Sequence, residues 1–319
     1  DGVTWSLATI APWSGRHMHG AVVHDGHIWI VGAENGTADD VWKSKDGENW
    51  ELVAATVPWK ERGNQMVTVF DGSIWVLGGQ AGAAAQTSFV ANLKAGKPFP
   101  PVPAPLRDVW RTDDGQSWEL VTDSAPWAPR GMITGANGGV AVLDGRMWIL
   151  GGGYVGAGGT TLSSLRYDLE EQPRLKARLY HNDVWSSADG RDWTRHLGEG
   201  EVPWPARSYH DTAVWDGKLW VLGGHRGIAD HPSEVATDGN RNDVWYSEDG
   251  EYWEELPHTP WSLRHACAVH VHRDALFLAA GSAVTISAEQ AELSKRDFTH
   301  RIESAWRPGD VWRLDRSPQ

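Results

Sequence analysis

The chain has 319 residues, with 29 basic against 42 acidic side chains and a net charge of −13, which argues against general nucleic-acid or acidic-membrane binding. One cysteine excludes an intrachain disulfide framework, and no apolar run reaches the roughly 20 residues of a membrane-spanning helix. The odd quantity is tryptophan, at 21 residues.

In chain order, the segment 1–9 opens on Asp1-Gly2-Val3-Thr4-Trp5, and residues 3–9 are predicted to form an outer strand. Pro12-Trp13 to Arg16 then opens a unit predicted over 16–53. It holds an apolar strand, a turn, the strand Ile28-Trp29-Ile30-Val31, Gly32-Ala33, and the tripeptide Asp40-Val41-Trp42. A turn Ser44-Lys45-Asp46-Gly47-Glu48-Asn49-Trp50 leads into its last strand. The same order recurs over 62–121, 130–197 and 207–256, ending in Trp118, Trp193 and Trp253. A fifth unit, 264–315, reaches Asp310-Val311-Trp312 without an Asp-Gly-x-x-Trp turn, and the start of the chain supplies that half. Alternating apolar residues and Asp-Gly turns mark two hairpins per unit. Nineteen of the 21 tryptophans fall at four repeat positions, Trp215 and Trp306 being the exceptions, so as a class they read as framework. The expectation is one all-β domain over 1–319: a five-bladed β-propeller of four-stranded antiparallel blades, closed when the N-terminal strand completes the C-terminal blade.

Arg, an apolar strand, Asp-Gly, a second strand, Gly-Gly, Asp-Val-Trp and a late Trp together resemble the repeat of the kelch family, which includes the galactose-oxidase-like propellers. The likeness covers essentially the whole chain. The Ser-x-Asp-Gly-x-x-Trp turns resemble a shortened sialidase Asp-box, which in that family is structural. Kelch domains that bind acidic peptides imply a ligand role for arginines near Arg16, Arg62, Arg130, Arg207 and Arg264. The kelch mutarotases acting on sialic acid imply that an Arg/His pocket suits a sugar acid. A galactose-oxidase-like copper site would need a Tyr–Cys pair, and Tyr209 and Cys267 lie in adjacent units. Five-bladed glycosidases place paired carboxylates at the inner strand starts. Here only Asp211 is nearby, so glycoside hydrolysis is not expected; lyase, isomerase or metal-dependent oxidoreductase chemistry fits these residues better.

The connections 80–107, 153–182, 225–242 and 282–309 are long and share the face where Pro-Trp-x-x-Arg enters the central channel. Short helices are expected from Ser287 to about Arg296 and over 163–171. With Gln65, Tyr180, His181, His225 and Arg226 from this side, the face suits a small anionic molecule or a peptide. The five arginines admit two readings: each stacks on its tryptophan and bonds loop carbonyls, or some converge on a carboxylate. The residues after each Arg break the symmetry. His17 and His19, Ser208 and His210, and His265 and Cys267 are expected on common strand faces in three contiguous blades. With Tyr209 beside them, His17, His19, His210 and His265 are candidates for proton transfer, and with Cys267 for ligating Cu, Zn or Fe. The plainer reading packs Cys267 as a small hydrophobe and bonds the histidines to the backbone. No nucleotide cofactor is expected. A secreted or periplasmic setting is expected, although the chain as given carries no signal-like segment. The expected function is binding, and conceivably transformation, of a small anionic ligand; the alternative is a non-catalytic protein- or peptide-binding module.

Overall fold

A computed structural model describes residues 6–16, 19–32, 39–59, 62–81, 106–131, 133–135, 139–153, 180–225, 240–284, 305–306 and 309–316. Among these, regular structure is strand alone. The first sheet joins Gly20–His24, His27–Val31, Val41–Ser44 and Glu51–Ala54 in sequence order, all antiparallel. The second joins Met66–Phe70, Ser73–Leu77, Val109–Thr112 and Glu119–Thr122. The third joins Ala141–Leu143, Arg146–Gly153, Tyr180–Ser187 and Thr194–Leu197. The fourth joins Asp211–Trp215, Lys218–Leu222, Val244–Ser247 and Glu254–Glu255. Ala268–His272, Ala275–Ala279 and Val311–Leu314 form the fifth. The chain is a five-bladed β-propeller.

The innermost position belongs to the first strand of each sheet. Gly20–His24 meets Met66–Phe70, and Asp211–Trp215 meets both Ala141–Leu143 and Ala268–His272. The tight inner hairpins use Asp25-Gly26, Asp71-Gly72, Asp144-Gly145 and Asp216-Gly217, both residues at positive φ, as a two-residue type I′ turn requires. Arg273-Asp274 performs the same turn in the fifth blade without a glycine. Of the fourth strand of that blade, expected from residues 3–9, residues 3–5 lie outside the described residues, and 6–9 carry no regular structure. The helices expected near 287–296 and 163–171 also lie outside the described residues.

Four apolar cores fill the interfaces from blade one to blade five. The Asp-Gly-x-x-Trp turns lock them. Asp46 Oδ1 accepts the backbone N–H groups of Glu48 and Asn49 at 2.9 and 2.8 Å, and the Trp50 indole donates to Gly47 O at 3.0 Å. Asp114, Asp189 and Asp249 repeat the pattern. In blades two to four the turn glycine lies on the second-strand tryptophan of the preceding blade. A Cβ on Gly115, Gly190 or Gly250 would stand 2.4, 2.3 or 2.3 Å from Trp29, Trp75 or Trp148.

Candidate functional site

The five repeat arginines do one thing. Arg62 donates from Nη1 and Nη2 to the two carboxylate oxygens of Asp108, both at 2.7 Å, and from Nη1 to Gly78 O at 3.0 Å. Arg207 does the same with Asp243 at 2.8 and 2.6 Å and Gly223 O at 2.7 Å. Arg16 holds Asp40, Arg130 holds Asp183 and Arg264 holds Asp310. The tryptophan of each Asp-Val-Trp donates its indole N–H to the same carboxylate, at 2.7–2.8 Å. Arg16, Arg62 and Arg207 also stack on Trp13, Trp59 and Trp204. Burial raises the Asp243 pKa, but the Arg207 charge and hydrogen bonds outweigh it and hold the carboxyl below its usual value. The Arg264 hydrogen bond holds Asp310 at about 2. With both Nη groups of every fork engaged by its own blade, the five arginines are framework. This is the arrangement of the first of the two readings given for them, a planar fork held by its own blade.

The expected His/Cys face also divides. Two residues after the Arg, the chain turns left-handed: φ is 57° at Asn64, 48° at Tyr209 and 51° at Ala266. The segment is therefore bent where an extended strand was expected, and flanking side chains no longer share a face. The position three after the Arg faces the preceding blade. Gln65 Nε2 donates to Val31 O at 3.1 Å, and His210 Nε2 donates to Leu150 O at 2.7 Å. Val31 and Leu150 are equivalent residues, each immediately before the first residue of Gly32-Ala33 or Gly151-Gly152. His210 is fully buried; burial and the Arg207 charge push its pKa down to about 3. Cys267, at the same position, packs in the core between blades four and five, where burial and the Asp211 charge push its thiol pKa up. His210 and Cys267 thus both take part in inter-blade contacts. His19 is half-buried at the equivalent place in blade one, and His17 lies outside the described residues.

What the structure brings together is a different set, at the mouth of blades three to five. A belt of backbone bridges runs His181↔Arg207, Ser208↔His225, His225↔Asn240, Arg241↔Arg264 and His265↔Ser282. It holds four rings in a row. Tyr180 and His225 lie 6.3 Å apart between ring centroids, His225 and His265 5.1 Å, and His265 and Tyr209 5.8 Å. His265 Nδ1 donates a hydrogen bond to Asn240 Oδ1 at 2.6 Å. His181 Nδ1 donates to Glu199 Oε1 at 2.8 Å. Burial and the Arg130 charge lower the His181 pKa against that bond, so its imidazole is neutral near pH 7. Among the described residues, no protein atom bonds the buried Ser208 Oγ, Asn240 Nδ2 or His181 Nε2. Buried polar groups without a protein partner are uncommon and call for water or a ligand.

Of the expected ligand-binding residues, Tyr180, His181 and His225 meet here together with the proton-transfer candidates Tyr209 and His265, Gln65 bonds blade one instead, and Arg226 lies outside the described residues. Asn240 and Glu199 were not singled out from the sequence, and Ser208 was named there only as sharing a strand face with His210. The Asn-Asp-Val-Trp tetrapeptides at 182–185 and 242–245 carry a signal for one inter-blade bond: Asn182 Nδ2 and Asn242 Nδ2 donate to Trp204 O and Trp261 O at 2.8 and 3.1 Å. No comparable pattern marks Asn240.

Among the described residues, no three His, Cys, Asp or Glu side chains gather in a geometry for a metal ion. No family model and no curated protein sequence matches the chain. Among solved structures, the structure of YjhT is similar, with a TM-score of 0.58 and 13% sequence identity over 98% of this chain and 85% of that one. At that identity the likeness concerns the fold alone. Everything chemical about the site rests on its own residues.

Proposed function

We propose that the protein is a kelch-type propeller that binds a small, ring-bearing polar ligand of the sugar-acid class on the loop face of blades three to five. The supporting observation is the row Tyr180–His225–His265–Tyr209, bordered by buried polar atoms that have no protein partner. Aromatic and imidazole faces accept the C–H face of a sugar ring, while Ser208 Oγ, Asn240 Nδ2 and His181 Nε2 supply a donor–acceptor set for hydroxyl or carboxyl oxygens. The kelch assignment rests on the order Arg, Gly-Gly, Asp-Val-Trp and late Trp in five units.

Tyr209 adds a second argument. A bulky aromatic at φ 48° is conformationally costly, whereas Asn64 occupies the equivalent place in blade two with a residue suited to it. Strain of this kind persists where the side chain has a use. A thermal-shift panel of glucuronate, sialic acid, neutral sugars, acidic peptides and divalent transition metals tests the reading. Sugar acids are expected to raise the melting temperature by several degrees at millimolar concentration. A shift confined to acidic peptides would instead favour a peptide-binding module, and a shift confined to metals would count against the stack as a sugar-acid site.

A further inference from the structure

The backbone belt over blades three to five has a register that orders its side chains. The bridge His181↔Arg207 is antiparallel and sets Tyr180 opposite Ser208. Ser208 pairs with His225 and His225 with Asn240, and the antiparallel bridge Arg241↔Arg264 sets Asn240 opposite His265. Residues directly opposite on neighbouring strands share one face. Tyr180, Ser208, His225, Asn240 and His265 therefore form one line, in which a ring alternates with a small polar side chain. Strands stand about 4.8 Å apart, so successive rings of this line would be about 9.6 Å apart on a flat sheet. Their centroids are 6.3 Å apart for Tyr180 and His225 and 5.1 Å for His225 and His265, so the rings lean together over the residue between them. Ser208 and Asn240 are 0% and 3% exposed, as that arrangement requires. The line breaks the repeat: the place of Asn240, three residues before Asp243, holds Tyr180 in blade three and Pro105 in blade two.

His265 Nδ1 donates to Oδ1 of Asn240, which fixes the amide with Nδ2 turned away from His265. Nδ2 brings two N–H groups and Ser208 Oγ brings an O–H, and neither atom bonds a protein group among the described residues. Buried donors of this kind are matched by a group that only accepts, and a carboxylate does so with charge-assisted strength. The repeat arginines are engaged by their own blades, so recognition of an anion falls to neutral donors. We propose that Ser208 Oγ and Asn240 Nδ2 form the carboxylate seat of the site, and that Asn240 determines its preference for an acid over the neutral sugar. The inference rests on the ring row being the ligand site and assigns one end of the ligand within it. Entry of the carboxylate requires the rings to part, a side-chain movement common at binding surfaces.

The test is isothermal titration calorimetry of glucuronate, and of glucose as its neutral counterpart with the same ring, into the wild type, Asn240→Asp and Ser208→Ala. The wild type is expected to bind glucuronate at least about tenfold more tightly than glucose. Asn240→Asp keeps an oxygen for His265 and puts a carboxylate where the donor stood. It is expected to weaken glucuronate binding at least about tenfold and to leave glucose within about threefold of the wild type. Ser208→Ala is expected to weaken glucuronate by a smaller factor in the same direction, and it carries the test if Asn240→Asp fails to fold. Unchanged glucuronate affinity in the variants, or an equal loss for the two sugars, would overturn the seat. Glucuronate binding to the wild type without preference over glucose would overturn it too, while leaving the ring row as the site. Binding of neither sugar would overturn the ring-row reading and the seat with it.

Discussion

A single residue type does different work in this ring according to its place in the repeat. His210 shows this most clearly, since its Nε2 bond to Leu150 O serves the role that Gln65 serves toward Val31 O. Because its pKa falls to about 3 in the folded protein, the unfolded chain takes up a proton first as the pH drops. Stability from this histidine is therefore complete above about pH 6.5, the ordinary value, and is lost progressively as pH falls toward 3. His210→Gln is expected to keep the inter-blade bond and flatten that acid limb of the unfolding curve, whereas His210→Ala should cost about 1–3 kcal/mol at pH 7 by leaving a buried carbonyl unpaired. Urea unfolding at pH 5 and pH 7.5 separates the two. At the neighbouring position, Tyr209→Asn is expected to stabilise the fold by about 0.5–1 kcal/mol through relief of its left-handed backbone, while weakening ligand binding.

At the scale of the element, two devices make a blade: the Arg–Asp–Trp clamp and the Asp-Gly-x-x-Trp turn. In the clamp, Arg207 is fully buried and its charge is matched by Asp243 alone among the carboxylates it bonds. Asp243→Ala should therefore cost about 3–5 kcal/mol, measured by denaturant unfolding, because it leaves a buried charge without its partner. In the turn, Gly190→Ala would bring a Cβ to 2.3 Å from the Trp75 ring at a φ of +72°, and should cost about 2–4 kcal/mol through clash and backbone strain together. Both devices were legible in the sequence as motifs, since they recur four or five times with fixed spacing. Their partners were not. That Arg62 reaches Asp108 across 46 residues depends on the strand order, which joins the start of a blade to its third strand. Nor does alternation hold after Arg62, Arg207 and Arg264, because Asn64, Tyr209 and Ala266 turn left-handed and only one of them is a residue type that advertises it.

Over the whole molecule, repetition and its failures separate framework from site. Positions identical in all five blades, the Arg–Asp–Trp clamps and the Pro-Trp indoles, hold the ring together and present no open guanidinium fork to a ligand. Positions that vary, Tyr180, His225, His265 and Tyr209, meet on one side because the loop face brings together the ends of three blades. The site was half legible: its rings could be named from the sequence, but Asn240 and Glu199 join it only through the backbone belt and a contact 18 residues distant from His181. The central claim is that ligand is held by this row of rings and not by the repeat arginines. Isothermal titration calorimetry of a sugar acid into the wild type and into Tyr209→Asn tests it most directly. The account predicts a dissociation constant at least about tenfold higher for the variant, a loss of about 1.4 kcal/mol of binding, with an undiminished melting temperature. Equal affinity in the two proteins would contradict it.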